Sequence, residues 1–277
     1  MTLGMFEKIV LADTMLAGSA DTIFGYAGPV HTLDAWTGVL AFAGQIFFDF
    51  AGYSTCAIGA ALCLGFHLKD NFRFPYAASG FSDFWRRWHI SLSTFLRDFL
   101  YIPLGGNRHG PAKAALNLMI VMFIGGLWHG ASWTFVVWGL LHGLYLVFER
   151  MLTAFTKEPR WAQASIGRLL VVLGTNAAVC FAWVFFRATT FTTAAHLISA
   201  MAGLGPQGDA VLTTREILQV LCVTTGLLLA HWNLRDTSVE AVVARMPRGL
   251  IITLWTLMLS AIILTQGNGN AFIYFQF

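Results

Sequence analysis

Apolar residues run along this chain in stretches too long for a soluble core. From Ala114 to Phe148 there is no Asp, Glu, Lys or Arg for 35 residues, enough for two short spans broken near Gly130. A helix needs about 20 apolar residues to cross the hydrocarbon layer of a membrane. Leu169 to Phe186 and Ile217 to Leu234 are uncharged for 18 residues each, and Gly249 to Phe277 is uncharged throughout. Ala35 to Leu68 is a further apolar region, interrupted only by Asp49. The first 34 residues carry Glu7, Lys8, Asp13, Asp21 and Asp34 at intervals and predict no clean span. No basic region precedes the early apolar run, and Asp13 cuts it, so no cleavable signal peptide is read there.

One segment, 70–110, has a different pattern. It is too polar to span, yet Phe84, Trp88, Leu92, Phe95 and Phe99 recur at helical spacing between Phe81 and Leu104. Asp83, Arg86, Arg87 and Arg97 fall elsewhere on that helix. The spacing predicts an interfacial or re-entrant helix with one face on lipid or protein and one face wet. Irregular backbone such as Pro103-Leu-Gly-Gly106 is tolerated at membrane depth only where it is buried or lines a cavity.

Composition agrees with the pattern. Hydrophobic residues make up 57% of the 277 and charged residues 11%, with a mean hydropathy of +0.66. A soluble domain carries roughly 25% charged residues, so this chain could not cover a water-facing surface. A disordered chain, a disulfide-stapled secreted domain and a cytosolic enzyme are excluded. The fold class is all-α, a polytopic integral membrane helical bundle with a re-entrant segment at 70–110 and a helical hairpin at 114–148, in one membrane domain. Cys56, Cys63, Cys180 and Cys222 lie in apolar stretches without metal-ligand spacing and read as buried thiols. The lipid bilayer is the predicted environment. A net charge of +3 gives no reason to invoke nucleic acid.

The basic residues mark sidedness instead. Lys69 to Lys113 holds seven Lys/Arg, Arg150 to Arg168 four and Arg235 to Arg248 three, whereas Arg187 to Arg215 holds two. With 114–148 as a hairpin, the three rich segments share one side. The positive-inside rule makes that side cytoplasmic and sets the chain's last residues outside.

Ionisable groups inside a membrane are costly and are candidates for function. His129 lies in Gly125-Gly-Leu-Trp-His-Gly-Ala131, within the 35-residue uncharged region. Small residues there allow close approach, Trp128 can form a cavity wall, and a neutral imidazole could act as a general base toward a hydroxyl attacking an acyl carbonyl. The competing reading is a packing histidine bonded to a backbone carbonyl. His89 follows in Phe84-Trp-Arg-Arg-Trp-His-Ile-Ser-Leu-Ser93, where Arg86 and Arg87 could neutralise phosphate or carboxylate. A membrane-surface helix whose arginines meet lipid headgroups and whose tryptophans sit in the interfacial belt fits the same residues. His67, His142, His196 and His231 read as core or packing histidines, although His142 could line the same space as His129. Asp49 needs a partner and reads as structural, orienting a histidine or pairing with an arginine. There is no glycine-rich phosphate loop, HExxH or nucleophile elbow. These residues alone fit a membrane transferase and a channel-like scaffold equally.

Longer ordered motifs go further. Asn71-Phe-Arg-Phe-Pro-Tyr76, Phe84 to Ser93 and Leu96-Arg-Asp-Phe-Leu-Tyr-Ile-Pro-Leu-Gly-Gly-Asn-Arg108 resemble the membrane-bound O-acyltransferase family, in its bacterial polysaccharide branch. Gly126-Leu-Trp-His-Gly-Ala131 with Trp138-Gly-Leu-Leu-His-Gly143 resembles that family's histidine motif. Gln45-Ile-Phe-Phe-Asp-Phe-Ala-Gly-Tyr53 and Phe272-Ile-Tyr-Phe-Gln-Phe277 resemble the same branch. The resemblance runs from about Gly4 to Phe277. It implies a helical bundle around a tunnel, with His129 and His89 as the catalytic histidines. Arg86, Arg87, Trp88 and Trp128 would form the substrate-binding set, with no metal and no bound cofactor. The implied reaction moves an acetyl group from acetyl-CoA in the cytoplasm outward, for O-acetylation of an alginate-like exopolysaccharide at the inner membrane. The implied partner is a periplasmic SGNH-type acetyltransferase or another polysaccharide-modifying protein. Phe50-Ala-Gly-Tyr-Ser-Thr55 departs from the family's Phe-Ser-Gly-Tyr-Ser-Asp. Members of the branch are also longer, so N-terminal spans are expected to be missing from this sequence. A D-alanyl or other acyl transferase of cell-wall polymers, and a truncated non-catalytic scaffold, are the alternatives.

Overall fold

The structure, a computed structural model, describes residues 1–155, 165–205, 208 and 210–265. Every regular element among them is helical. In chain order these are α1 (Thr2–Met5), a π-helical run (Phe6–Leu16), α2 (Ala17–Gly25), α3 (Thr32–Cys63), a 3-10 turn (Pro75–Ala77), α4 (Phe81–Arg87), α5 (Ile90–Leu96), a π-helical turn (Arg97–Tyr101), α6 (Gly110–Trp128), α7 (Trp133–Phe155), α8 (Ser165–Arg187), α9 (Phe191–Met201), α10 (Thr214–Leu234), α11 (Val239–Val243) and α12 (Arg248–Leu264). Five of them, α3, α6, α7, α8 and α10, are long and apolar enough to cross a membrane. The apolar run read from Gly249 onward forms the shorter α12, and residues 266–277, including the Phe272–Phe277 motif, lie outside the described residues.

The chain divides into two compact units, 1–73 with 195–277, and 74–194. In the first, the helical run over 2–25 packs along α3. The two backbones nearly touch where glycines face each other, since a Cβ on Gly52 would stand 2.6 Å from the Gly4 carbonyl oxygen. Of the charges that obscured this region in the sequence, Asp13 and Asp34 are buried, Glu7 and Lys8 are half-buried and Asp21 is exposed. Lys8 pairs with Asp13 at 2.9 Å and also with Asp49, and both carboxylates are buried. Asp49 therefore pairs with a lysine of the same unit, where the sequence suggested a histidine or an arginine. Gln219 of α10 donates to the Met15 carbonyl at 2.7 Å, Trp36 to the Met201 carbonyl at 3.0 Å, and Asp34 accepts from the Val211 N–H at 2.7 Å. A capping box of Thr213 and Glu216 opens α10. Cys63 and Cys222 are exposed, not buried as their apolar surroundings suggested. In a membrane helix the outward face meets lipid and is as apolar as the core, so hydropathy alone does not separate the two.

In the second unit α6 and α7 form a tight antiparallel pair joined by residues 129–132. Small residues let the backbones approach. A Cβ on Gly139 would run into the Met122 carbonyl oxygen and lie 3.2 Å from Gly126 Cα, and one on Gly126 would meet the Phe135 carbonyl oxygen at 2.5 Å. Gly139 and Gly143 give this face of α7 the Gly-x-x-x-Gly spacing that suits close helix packing in lipid. Gly139→Ala is expected to pry the pair apart at the upper end of the about 1–3 kcal/mol typical of overpacking. Thermal unfolding in detergent should show the loss, and an unchanged midpoint would contradict the contact.

The continuous amphipathic helix predicted over 81–104 is instead broken into α4, α5 and the π-helical turn. The break falls at Trp88 and His89 because these residues point into the fold rather than along one wet-and-dry surface.

Candidate active site

The second unit holds every residue that the sequence singled out for catalysis or substrate binding, from Arg86 to His129, together with His142. The reversal between α4 and α5 is made by Trp88 in an extended conformation and His89 at φ 44°, ψ 55°. A left-handed backbone costs a residue with a Cβ about 1–2 kcal/mol. Packing holds it in place: Trp88 is 2% exposed, stacked on Phe84 at 5.5 Å and packed on Trp183 at 5.1 Å. Ser93 donates to the Trp88 carbonyl at 3.1 Å. Ser91 Oγ lies 3.3 Å from His89 Nδ1, and the ring meets Trp128 with centroids 6.0 Å apart.

His129 follows the last residue of α6, where the helix gives way to Gly130 at φ 153°. A Cβ on Gly130 would meet the Phe135 ring at 2.9 Å, so glycine is required for this exit. The His129 imidazole stands in an aromatic cage. Ring centroids lie 5.0 Å away at Trp128, 5.0 Å at Trp138, 4.9 Å at Phe186 and 6.2 Å at Phe135. Trp128 therefore touches both His89 and His129, although the two are 40 positions apart in the sequence. Such a cage encloses one side of a half-buried imidazole, and a neutral imidazole held there can take a proton from a hydroxyl.

The other predicted site residues differ in their surroundings. Arg86 is 70% exposed at its side chain, whereas Arg87 is 12% exposed and donates to Asp83 at 3.0 Å. Trp88 lies in the core and supports the turn that carries His89. Trp128 is exposed beside the two histidines. Burial works against the Asp83 carboxylate, but the Ser79 N–H at 3.0 Å, Arg87 and Arg86 outweigh it and hold its pKa below the usual carboxylate value. A depressed pKa gives stability that is present at neutral pH and lost as pH falls through the folded-state value. Asp83→Asn is expected to cost about 1.5–3 kcal/mol at neutral pH, as for hydrogen bonds to charged groups. The deficit should vanish in acid, where the wild-type carboxyl is also protonated. Unfolding midpoints at neutral and acidic pH check this, and a deficit of equal size at both would refute it.

Further anchors fix the site to the spans. Ser82 donates from its N–H at 2.7 Å and its hydroxyl at 2.8 Å to Glu149 of α7. The Gly80 N–H reaches Thr175 of α8 at 3.1 Å, and Asn176 donates to the Tyr76 carbonyl at 2.8 Å. Next to the His129 turn, Ala131, Ser132, Trp133, Thr134, Thr189, Thr190 and Phe191 line an open cleft of about 350 Å³. Sequence reasoning missed the cage residues Phe135 and Phe186 and the supporting Trp183, and placed Trp138 only within the histidine motif. The signal available was Trp138 and His142 four apart on α7, with Trp183 and Phe186 three apart on α8, each pair on one helix face.

Together these features define an integral-membrane, all-helical protein with a histidine held in an aromatic cage beside the turn between α4 and α5. The sequence matches the MBOAT, membrane-bound O-acyltransferase family over residues 26–195. It is 44% identical over 238 residues to a Pseudomonas putida protein named "Probable alginate O-acetylase AlgI", covering 84% of this chain and 47% of that protein. A Helicobacter pylori peptidoglycan O-acetyltransferase is 43% identical over 203 residues, covering 73% of this chain and 38% of that protein. A Bacillus subtilis teichoic acid D-alanyltransferase is 27% identical over 154 residues, covering 53% of this chain and 39% of that protein. The chain belongs to the membrane-bound O-acyltransferase family, and it spans less than half the length of these relatives.

Proposed function

We propose that this chain carries the acyl-transfer site of a multi-pass inner-membrane O-acetyltransferase. The enzyme takes acetyl from acetyl-CoA on the cytoplasmic side and delivers it outward for O-acetylation of an alginate-like exopolysaccharide. The observation that carries the reading is the aromatic cage that holds His129 against Trp128, with His89 on the same indole. His129 takes the proton of the acceptor hydroxyl as its oxygen attacks the acetyl carbonyl. The thioester C–S bond then breaks, and the departing CoA sulfur takes up that proton, so atoms and charge balance. His89 and Arg86 act on the donor from the basic side. Arg87 contributes through its pair with Asp83, which fixes α4. The acceptor is a hydroxyl of the polysaccharide or of a periplasmic SGNH-type acetyltransferase that passes the group on.

Acetyl is favoured over D-alanyl because the O-acetylase relatives match at 43–44% identity over most of the chain, whereas the D-alanyltransferase matches at 27% over about half of it. The test is transfer of labelled acetyl from acetyl-CoA by membranes holding the chain, alone and with a polypeptide supplying the remaining length of its relatives. Incorporation into uronic-acid polysaccharide in either arm supports the reading. Incorporation of D-alanine but not acetyl would replace it, and transfer of neither would favour a non-catalytic scaffold.

A further inference from the structure

His142 is the most fully enclosed imidazole of the second unit, at 0% exposure. Five aromatic rings surround it, with centroids at 6.0 Å for Phe84, 5.1 Å for Trp85, 5.0 Å for Trp138, 5.7 Å for Tyr145 and 6.4 Å for Trp183. Neither of its ring nitrogens has a hydrogen-bond partner in the protein, nor have the buried Nε1 atoms of Trp85 and Trp138. The Tyr145 hydroxyl nearby is satisfied, donating to the Ala178 carbonyl at 3.1 Å. An unmet buried donor or acceptor is destabilising, and a phenylalanine would fill the same box without that cost. The rings of Trp85, Trp138 and His142 also touch one another pairwise, with Trp85 and Trp138 at 5.9 Å.

We propose that His142, Trp85 and Trp138 form a binding site for a single hydroxyl group inside the second unit. A neutral imidazole offers one N–H donor and one acceptor nitrogen, and each indole offers a donor only. A hydroxyl oxygen both accepts and donates, so it can meet an indole N–H and the acceptor nitrogen of His142 at once. A carboxylate or carbonyl could not donate, and an ammonium could not accept. Trp138 forms a wall of the His129 cage as well, with 5.0 Å between ring centroids on each side. The site therefore adjoins the reacting group. Its hydroxyl is an ordered water or the hydroxyl of the acceptor, the second source resting on the acyl-transfer reading above.

The test is independent of turnover. The 277-residue chain is labelled with 15N-histidine in lipid nanodiscs, and the His142 ring resonances are assigned by their loss in His142→Phe, which the apolar box accommodates. Ring nitrogens hydrogen-bonded without any addition identify water as the occupant. Hydrogen bonding that arises only when a short uronic-acid oligosaccharide is added identifies the acceptor. Trp138→Phe is expected to shift these resonances toward the unbonded values in either case. Ring nitrogens that are unbonded with and without the oligosaccharide overturn the site. The acyl-transfer reading is judged separately, by labelled acetyl.

Discussion

His129→Ala is expected to lower acetyl transfer by about 10²–10⁴-fold, the range a general base supplies. The argument starts from position: His129 follows α6 with ordinary helical backbone angles, so alanine can take its place without strain. The backbone N–H that bonds to the Gly126 carbonyl at 3.1 Å remains. The cage walls Trp138, Phe186 and Phe135 stay with it, because Phe186 packs on both of the others. The variant should therefore elute and melt like the parent while transferring little. His129→Gln keeps polarity but not proton affinity and should be nearly as poor. Full transfer by a correctly folded His129→Ala would remove the histidine from the mechanism and leave the cage as packing.

The second large effect lies in the other unit and concerns folding. Replacing Lys8 with methionine keeps the apolar stem but leaves Asp13 and Asp49, both almost fully buried, without their countercharge. Breaking a buried ion pair by removing one partner typically costs about 3–5 kcal/mol, since the remaining charge has neither water nor partner. Two carboxylates meet this one ammonium, so the loss should fall within that range. Lys8→Met combined with Asp13→Asn and Asp49→Asn should recover much of it, because no uncompensated charge then remains. Chemical unfolding in detergent micelles measures both variants. A Lys8→Met protein as stable as the parent would show that the triad contributes nothing to folding.

The spans were legible in the sequence because lipid imposes a one-dimensional rule. Charge must stay out of about 20 consecutive residues, and that requirement shows without any knowledge of neighbours. α3, the α6 and α7 pair, α8 and α10 fall where the uncharged runs fall. The rule fails at residues 2–25, where Lys8, Asp13 and the distant Asp49 neutralise one another only once the helices pack. It fails again at 81–104, where periodicity reads as one helix but the burial of Trp88 and the left-handed turn at His89 divide it.

The sequence by itself determined the class of protein and its conspicuous chemistry: an all-helical membrane chain with a histidine in an uncharged run and arginines beside a second histidine. Local spacing carries those facts, since hydropathy and motif order are properties of neighbouring residues. Only the tertiary structure decided which groups meet. It brought His89 and His129 to one indole, tied Arg87 to Asp83, took Trp88 into the core, and enclosed His142 with both ring nitrogens unmet. Apart from the Arg87–Asp83 pair within α4 and the neighbouring rings of Trp128 and His129, these are contacts between residues tens of positions apart, fixed by which faces pack, and a linear pattern of apolar and polar positions does not contain that information.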